Sequence, residues 1–165
     1  MIVRGARVQD AQAIADIQNP IIRDTAITFN SVEKTAEAVR EAIAECPCFL
    51  VAEQSTAVLG YVSYQPFRAG VGYARTMEHA IALAPQARGQ GAGRMLMTAA
   101  EDHARAAGIG SFFAGISGEN EDGITFHARM GYEHAARLPK VGFKFGRWMD
   151  LVLMRKWLLE PDETG

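Results

Sequence analysis

The chain has 165 residues, 48% of them apolar and 22% charged, which suits one domain with a full core. Its 17 basic and 19 acidic side chains leave a net charge of −2, which argues against a nucleic-acid partner gripped by bulk electrostatics. No run approaches the length of a membrane span, and Met1-Ile2-Val3-Arg4 lacks the apolar core of a signal peptide, so no membrane partner and a cytoplasmic location are expected.

The alternation over Ile2–Val8 predicts a first strand. Asp10 then caps a helix with Ala13, Ile14 and Ile17 on its apolar face, and Asn19-Pro20 is expected to end or interrupt it. Ile21–Asn30 reads as an apolar, irregular connector, followed by a helix over Val32–Glu45 with Ala36, Val39, Ala42 and Ile43 inward. Cys46 and Cys48 flank Pro47 too closely for a mutual disulfide, and no second ligand cluster accompanies them, so they read as small packing residues and no metal is expected. Phe49–Glu53 and Val58–Gln65 bracket a Ser55-Thr56-Ala57 turn as a hairpin. Phe67–Ala74 is a loop and Thr76–Leu83 a strand. A glycine-dense turn leads into a helix over Arg94–Ala107, which Gly108-Ile109-Gly110 closes. Ser111–Ser117 is the next strand, and Asn120 opens a short helix, Glu121–Met130, ended by Gly131. Tyr132–Leu138 and Trp148–Trp157 are the last strands, joined by a basic loop, Pro139–Arg147. One domain spans residues 1–159, and residues 160–165 read as a frayed tail. The order β-α-α-β-β-β-α-β-α-β-β predicts an α/β protein, a mixed sheet covered by helices on both faces.

The segment Pro85-Gln86-Ala87-Arg88-Gly89-Gln90-Gly91-Ala92-Gly93-Arg94-Met95-Leu96 carries the most chemical information. A strand, a glycine turn and a helix in that order make an anion site, because turn amides and the helix's first unpaired amides converge there. A nucleotide P-loop needs Gly-Lys-Ser/Thr, whereas Gly93 is followed by Arg94 and Met95. A dinucleotide fingerprint begun at Gly89 meets arginine at 94. The acidic residue it expects about 20 residues on is also missing, since Ser111, Phe112 and Phe113 occupy that region.

What remains, Arg88-x-x-Gly91-x-Gly93, resembles the acetyl-CoA pyrophosphate loop of the GCN5-related N-acetyltransferases, the GNAT superfamily. Asn120-x-x-Gly123-Ile124-x-Phe126-His127-x-x-x-Gly131-Tyr132 is similar to a second superfamily motif, with histidine where most members carry tyrosine. Together with Glu78-His79 and the block Lys140–Asp150, these motifs look like the subgroup of phosphinothricin and methionine sulfoximine N-acetyltransferases, a likeness running from Ile2 to Trp157. The resemblance implies the GNAT acyl-CoA N-acyltransferase fold, acetyl-CoA as co-substrate, a small amino-acid-like acceptor and a homodimer.

It also implies roles. The acceptor arrives as ammonium and needs a base, and the attack needs donors for the developing oxyanion. No serine or cysteine nucleophile with an adjacent base is visible, so direct attack in a ternary complex is expected. Glu78 is the candidate base, through a water by family resemblance; a solvated surface carboxylate, or a salt-bridge partner of Arg75, is the plainer alternative. His79 could share the proton relay, but strand alternation points it away from Glu78, and a structural or pocket-lining histidine is the alternative. Ile81, Ala82 and Leu83 would offer backbone groups to the pantetheine, and Arg88, Gly89, Gln90, Gly91, Ala92, Gly93 and Arg94 would cradle the pyrophosphate. Asn120 suits a hydrogen bond to the cofactor and an N-cap equally. His127 is a candidate acid for the departing thiolate, although a thiol of pKa about 8.5 can leave without one. On the acceptor side, Arg68 and Arg75 could take a carboxylate in two-pronged fashion, beside Phe67. Ile27 and Phe29 would line a wall, and Lys144, Arg147 and Trp148 could reach a neighbouring subunit. Polyamine, aminoglycoside or protein-terminus acceptors, and a non-catalytic acyl-CoA sensor, are the alternatives. The basic acceptor loops disfavour the polycations.

Overall fold

The computed structural model describes residues 1–161; of the expected tail, residues 162–165 lie outside the described residues. In chain order the elements are β1 (Ile2–Gly5), α1 (Ala11–Asp24), α2 (Ala36–Glu45), β2 (Cys48–Gln54), β3 (Ala57–Pro66), β4 (Thr76–Leu83), α3 (Ala92–Ala106), β5 (Ser111–Ser117), α4 (Glu121–Arg129), β6 (Glu133–Lys144) and β7 (Arg147–Trp157). The strands form a seven-stranded sheet in the order β1-β2-β3-β4-β5-β7-β6. β4 and β5 run parallel, and the other neighbours pair antiparallel.

Period-two alternation divides the sheet between two cores. Val62, Tyr64, Met77, Phe112, Ala114, Val152 and Met154 pack with Leu96, Met97 and Ala100 of α3. Val51 and Tyr61, with Ala82 and Ala84, pack with Ile14 and Ile17 of α1 and Val39 of α2. The odd-numbered side chains of β4 therefore face α3, and the even-numbered ones face the α1 and α2 side.

Four sequence expectations need correction. β1 stops at Gly5 because Asp10 turns the chain: its carboxylate accepts the Arg7 amide at 2.7 Å and the Arg4 guanidinium at 2.8 and 3.0 Å. α1 does not end at Asn19-Pro20 but continues to Asp24. A mid-helix proline costs about 3 kcal/mol or more, whereas carrying the helix past it buries Ile22, which returns on the order of 1.5–3 kcal/mol. Asn19 also holds the following loop, donating to Lys34 O at 2.9 Å and accepting from Lys34 N at 2.8 Å. α2 begins at Ala36 rather than Val32, with the Thr35 hydroxyl accepting the Ala38 amide at 3.1 Å.

Pro139–Lys144 is strand, not loop, and β6 reaches β7 through a two-residue turn at Phe145-Gly146, with φ of 55° and 73°. An irregular register between Leu138 and Gly142 absorbs the extra residues. The Asp150 carboxylate fixes it, accepting the Lys140 amide at 3.0 Å and Arg137 Nε at 2.9 Å. That irregularity breaks the alternation which would otherwise have marked the strand.

Candidate active site

β4 and β5 stay paired only from Thr76/Ser111 to His79/Ala114. Beyond that point Ala80–Leu83 keep β3 as their ladder partner and Gly115–Ser117 keep β7. The backbone groups of Ala80–Leu83 that face β5 are thus left without a strand partner, among them those of Ile81, Ala82 and Leu83. A ligand able to exchange hydrogen bonds with a strand edge fits there.

At the end of β4 the chain makes a short 3-10 turn, Pro85–Ala87, and enters α3 at Gly91. Gly89 and Gly91 have φ of 74° and 83°, and a Cβ on either would meet no protein atom within 4 Å. Their glycines serve a left-handed backbone that opens onto free space. Gly93 has a different reason: a Cβ there would stand 3.1 Å from the Phe126 ring, so its bareness lets α3 pack against α4. The amides of Ala92, Gly93 and Arg94 form the first turn of a 15-residue helix, where no intrahelical acceptor exists and the helix dipole is positive. Gln90 folds back to donate to Gln86 O at 2.6 Å, and Arg88 and Arg94 are exposed beside the turn. Free amides, open glycines and two cations together fit a diphosphate.

Glu78 sits in the last stretch shared by β4 and β5, on the α1 and α2 side of the sheet. It is half-buried, and burial pushes its carboxyl pKa up. Its Oε1 lies where a side chain on Gly115 would be: a Cβ at Gly115 would stand 2.6 Å from it and 3.7 Å from Leu151 Cδ1. The carboxylate therefore rests over bare backbone of β5. Phe67 stacks on Phe113 at 4.6 Å between centroids, and Phe113 is the register partner of Glu78. Arg155 covers the same aromatic, 5.8 Å from its centroid. Sequence inspection missed Gly115, Leu151 and Arg155. The alternation within Trp148–Trp157 was the signal that places Leu151 and Arg155 on one face.

His79 is buried on the other face, where its Nε2 lies 2.9 Å from Nε2 of His127. His127 Nδ1 lies 2.7 Å from the Gly123 carbonyl, which can only accept, so that nitrogen carries the proton. His127 Nε2 is then the acceptor and His79 Nε2 the donor, leaving both nitrogens of His127 engaged. His79 Nδ1 is left buried without a hydrogen-bond partner. Burial, then the neighbouring ring, pulls the His79 pKa down to about 3, and burial lowers His127. Such groups protonate in the unfolded chain first, so the stability they allow is present at neutral pH and lost as pH falls from 6.5 toward about 3. The thermal midpoint should drop over that window, and His79→Phe should make the drop shallower in calorimetry at a series of pH values.

Asn120 is the N-cap of α4: its Oδ1 accepts the Gly123 amide at 2.9 Å. The other acceptor-side candidates separate. Phe67 shares the face of Glu78, and Arg68, next in chain, is exposed. Arg75 does not pair with Glu78 in an ion pair; its carbonyl accepts the Gly110 amide at 2.8 Å, and it borders a cavity of about 210 Å³ with Trp157 and Leu159. Arg147 pairs with Glu119, one contact being 2.9 Å. Lys144 is only 4% exposed, and its ammonium donates to the carbonyls of Ile22, Thr25 and Thr28 at 2.6, 2.7 and 2.9 Å. Phe29 lies against Gly142, where a Cβ would stand 2.3 Å from its ring.

A family model described as the acetyltransferase (GNAT) family matches residues 14–132. The chain is 37% identical to the L-amino acid N-acyltransferase MnaT of Escherichia coli, with all of both chains covered. It is 34% identical to an L-methionine sulfoximine/L-methionine sulfone acetyltransferase of Salmonella typhimurium, over 99% of this chain and 96% of the other. Among solved structures, a GNAT superfamily phosphinothricin acetyltransferase of Sinorhizobium meliloti in complex with AcCoA superposes with a TM-score of 0.93 at 27% identity, covering 99% of this chain and 91% of that one. The parted parallel strands, the amide-lined turn and these likenesses lead to one conclusion: the chain belongs to the GNAT family and is an N-acetyltransferase.

Proposed function

We propose that the protein moves the acetyl group of acetyl-CoA to the amine of a small amino-acid-like acceptor, of the methionine sulfoximine, methionine sulfone or phosphinothricin type. The observation that carries this is the Glu78 carboxylate resting over Gly115, where β4 and β5 begin to part. A thioester delivered along Ala80–Leu83 from a diphosphate held at residues 88–94 arrives beside that carboxylate. Glu78 takes the ammonium proton through a water, and the pKa raised by burial makes it the stronger base. The freed amine attacks the acetyl carbon, a strand amide of β4 holds the oxyanion, and the adduct collapses: the C–S bond breaks, the thiolate departs, and the nitrogen sheds its second proton through solvent to that sulfur.

A coenzyme A thiol with a pKa of about 8.5 leaves unaided. His127, with both nitrogens engaged, supports packing of α4 against β4 better than proton donation to sulfur. Asn120 keeps its amide nitrogen for the cofactor arm while its oxygen caps α4. Arg68 takes the acceptor carboxylate, with Phe67 and Phe29 as apolar walls. Activity of this kind draws on the acetyl-CoA pool of the cytoplasm, where the protein works. The exposed Val141, Phe143, Phe145 and Trp148 of the β6–β7 hairpin, each 49–59% exposed, suit the apolar centre of a homodimer contact.

Coenzyme A release measured across amino acids, polyamines and aminoglycosides tests the assignment. Turnover of methionine sulfoximine or phosphinothricin, with none of spermidine or kanamycin, is the expected pattern. Turnover of spermidine without methionine sulfoximine overturns the substrate assignment.

A further inference from the structure

The α1–α2 connector is fastened to the sheet at two positions of β6 that share one face. Lys144 Nζ spends all three of its donors on carbonyls of that connector and of the end of α1. Two residues earlier, Gly142 leaves the room that the Phe29 ring fills. Gly142 pairs with Met149 and Lys144 with Arg147, so both face the same side of the sheet as Met149, Leu151 and Leu153. Leu151 and Glu78 both stand against Gly115, at 3.7 and 2.6 Å from where its Cβ would be. The fastened connector therefore stands on the same face as the proposed base, and Met149, opposite Gly142, is two residues along β7 from Leu151.

We infer that Lys144 and Gly142 are positioning residues: they set the connector Thr25–Phe29 as the acceptor-side wall of the site and thereby fix acceptor affinity. This rests on the acetyltransfer to a small amino-acid-like acceptor proposed above. The ammonium is suited to the task. Ile22 is in the last turn of α1, whose terminal carbonyls have no intrahelical donor, and a cation there also answers the helix dipole. A single charge tying three carbonyls fixes the exit of α1 and the path of the connector together.

Lys144→Met keeps the bulk and removes the charge, and Gly142→Ala pushes Phe29 off its seat without touching Lys144. Steady-state kinetics with methionine sulfoximine should show the acceptor KM rising roughly tenfold in both variants, with kcat and the acetyl-CoA KM within about twofold of the parent. Hydrogen exchange should quicken at the amides of residues 25–30. An unchanged acceptor KM in both variants overturns the inference, as does a loss of melting temperature with no split between the two KM values. If Lys144→Met does not fold, Gly142→Ala decides. If the parent transfers acetyl to no amino acid, the proposed function fails, and exchange alone judges the fastening: unaltered exchange at 25–30 in Lys144→Met overturns it.

Discussion

Glu78→Gln is expected to lower kcat by roughly 10²–10⁴-fold while acetyl-CoA affinity stays near that of the parent. The amide keeps the shape of the carboxyl over Gly115 but cannot take a proton. Isothermal titration with coenzyme A and single-turnover acetylation separate the two effects, and a variant with full rate would remove Glu78 from the chemistry. The same change should raise thermal stability at neutral pH. An acid whose pKa is higher folded than unfolded binds protons more tightly when folded, so its contribution declines as pH rises through that interval. Burial disfavours the ionised form of this carboxyl, so its charge opposes folding, and the amide carries no such charge. A melting temperature above the parent's, with activity lost, is the signature of a site that trades stability for chemistry. In the parent, kcat/KM should rise with pH along a limb whose midpoint lies above the ordinary glutamate range, and Glu78→Gln should abolish that limb.

Gly91→Val is expected to weaken coenzyme A binding by about tenfold or more, since the residue holds φ of 83° at the mouth of α3. A β-branched residue in that conformation is strained by roughly 1–2 kcal/mol, so the turn either distorts or keeps its path with a side chain raised over its amides. The space into which that side chain points holds no protein atom within 4 Å, so stability should fall only by the strain. Gly93→Val provides the contrast. Its side chain would collide with Phe126 and Leu83, and it should unfold the α3–α4 contact before any effect on ligand is seen. Binding lost in Gly91→Val with a small change in melting temperature supports the diphosphate site; equal affinity in parent and variant sinks it.

The acceptor wall shows why a sequence understates some residues. Lys140, Lys144 and Arg147 look alike as a basic cluster between two strands. In the fold their fates differ. The Lys140 amide is held by Asp150 and Arg147 pairs with Glu119, whereas Lys144 is buried under carbonyls 116 to 122 residues away in the chain. Such separations leave no trace in spacing. Histidines 79 and 127 likewise gave no sign of pairing, because their contact depends on β4 and α4 meeting across 48 residues.

What the amino acids determined by themselves is local and chemical. The bounds of Thr76–Leu83 and Ser111–Ser117, the glycine turn after the first of them, the element order and the even-face position of Glu78 all follow from alternation and turn chemistry acting over a few residues. The tertiary structure alone decided that α1 survives Pro20, that the 139–147 segment is a bulged hairpin, and that Gly93 and Gly115 are bare for two different neighbours. Each of these turns on burial and contact between segments distant in the chain, energies of several kcal/mol that override local preference and that no window of sequence contains.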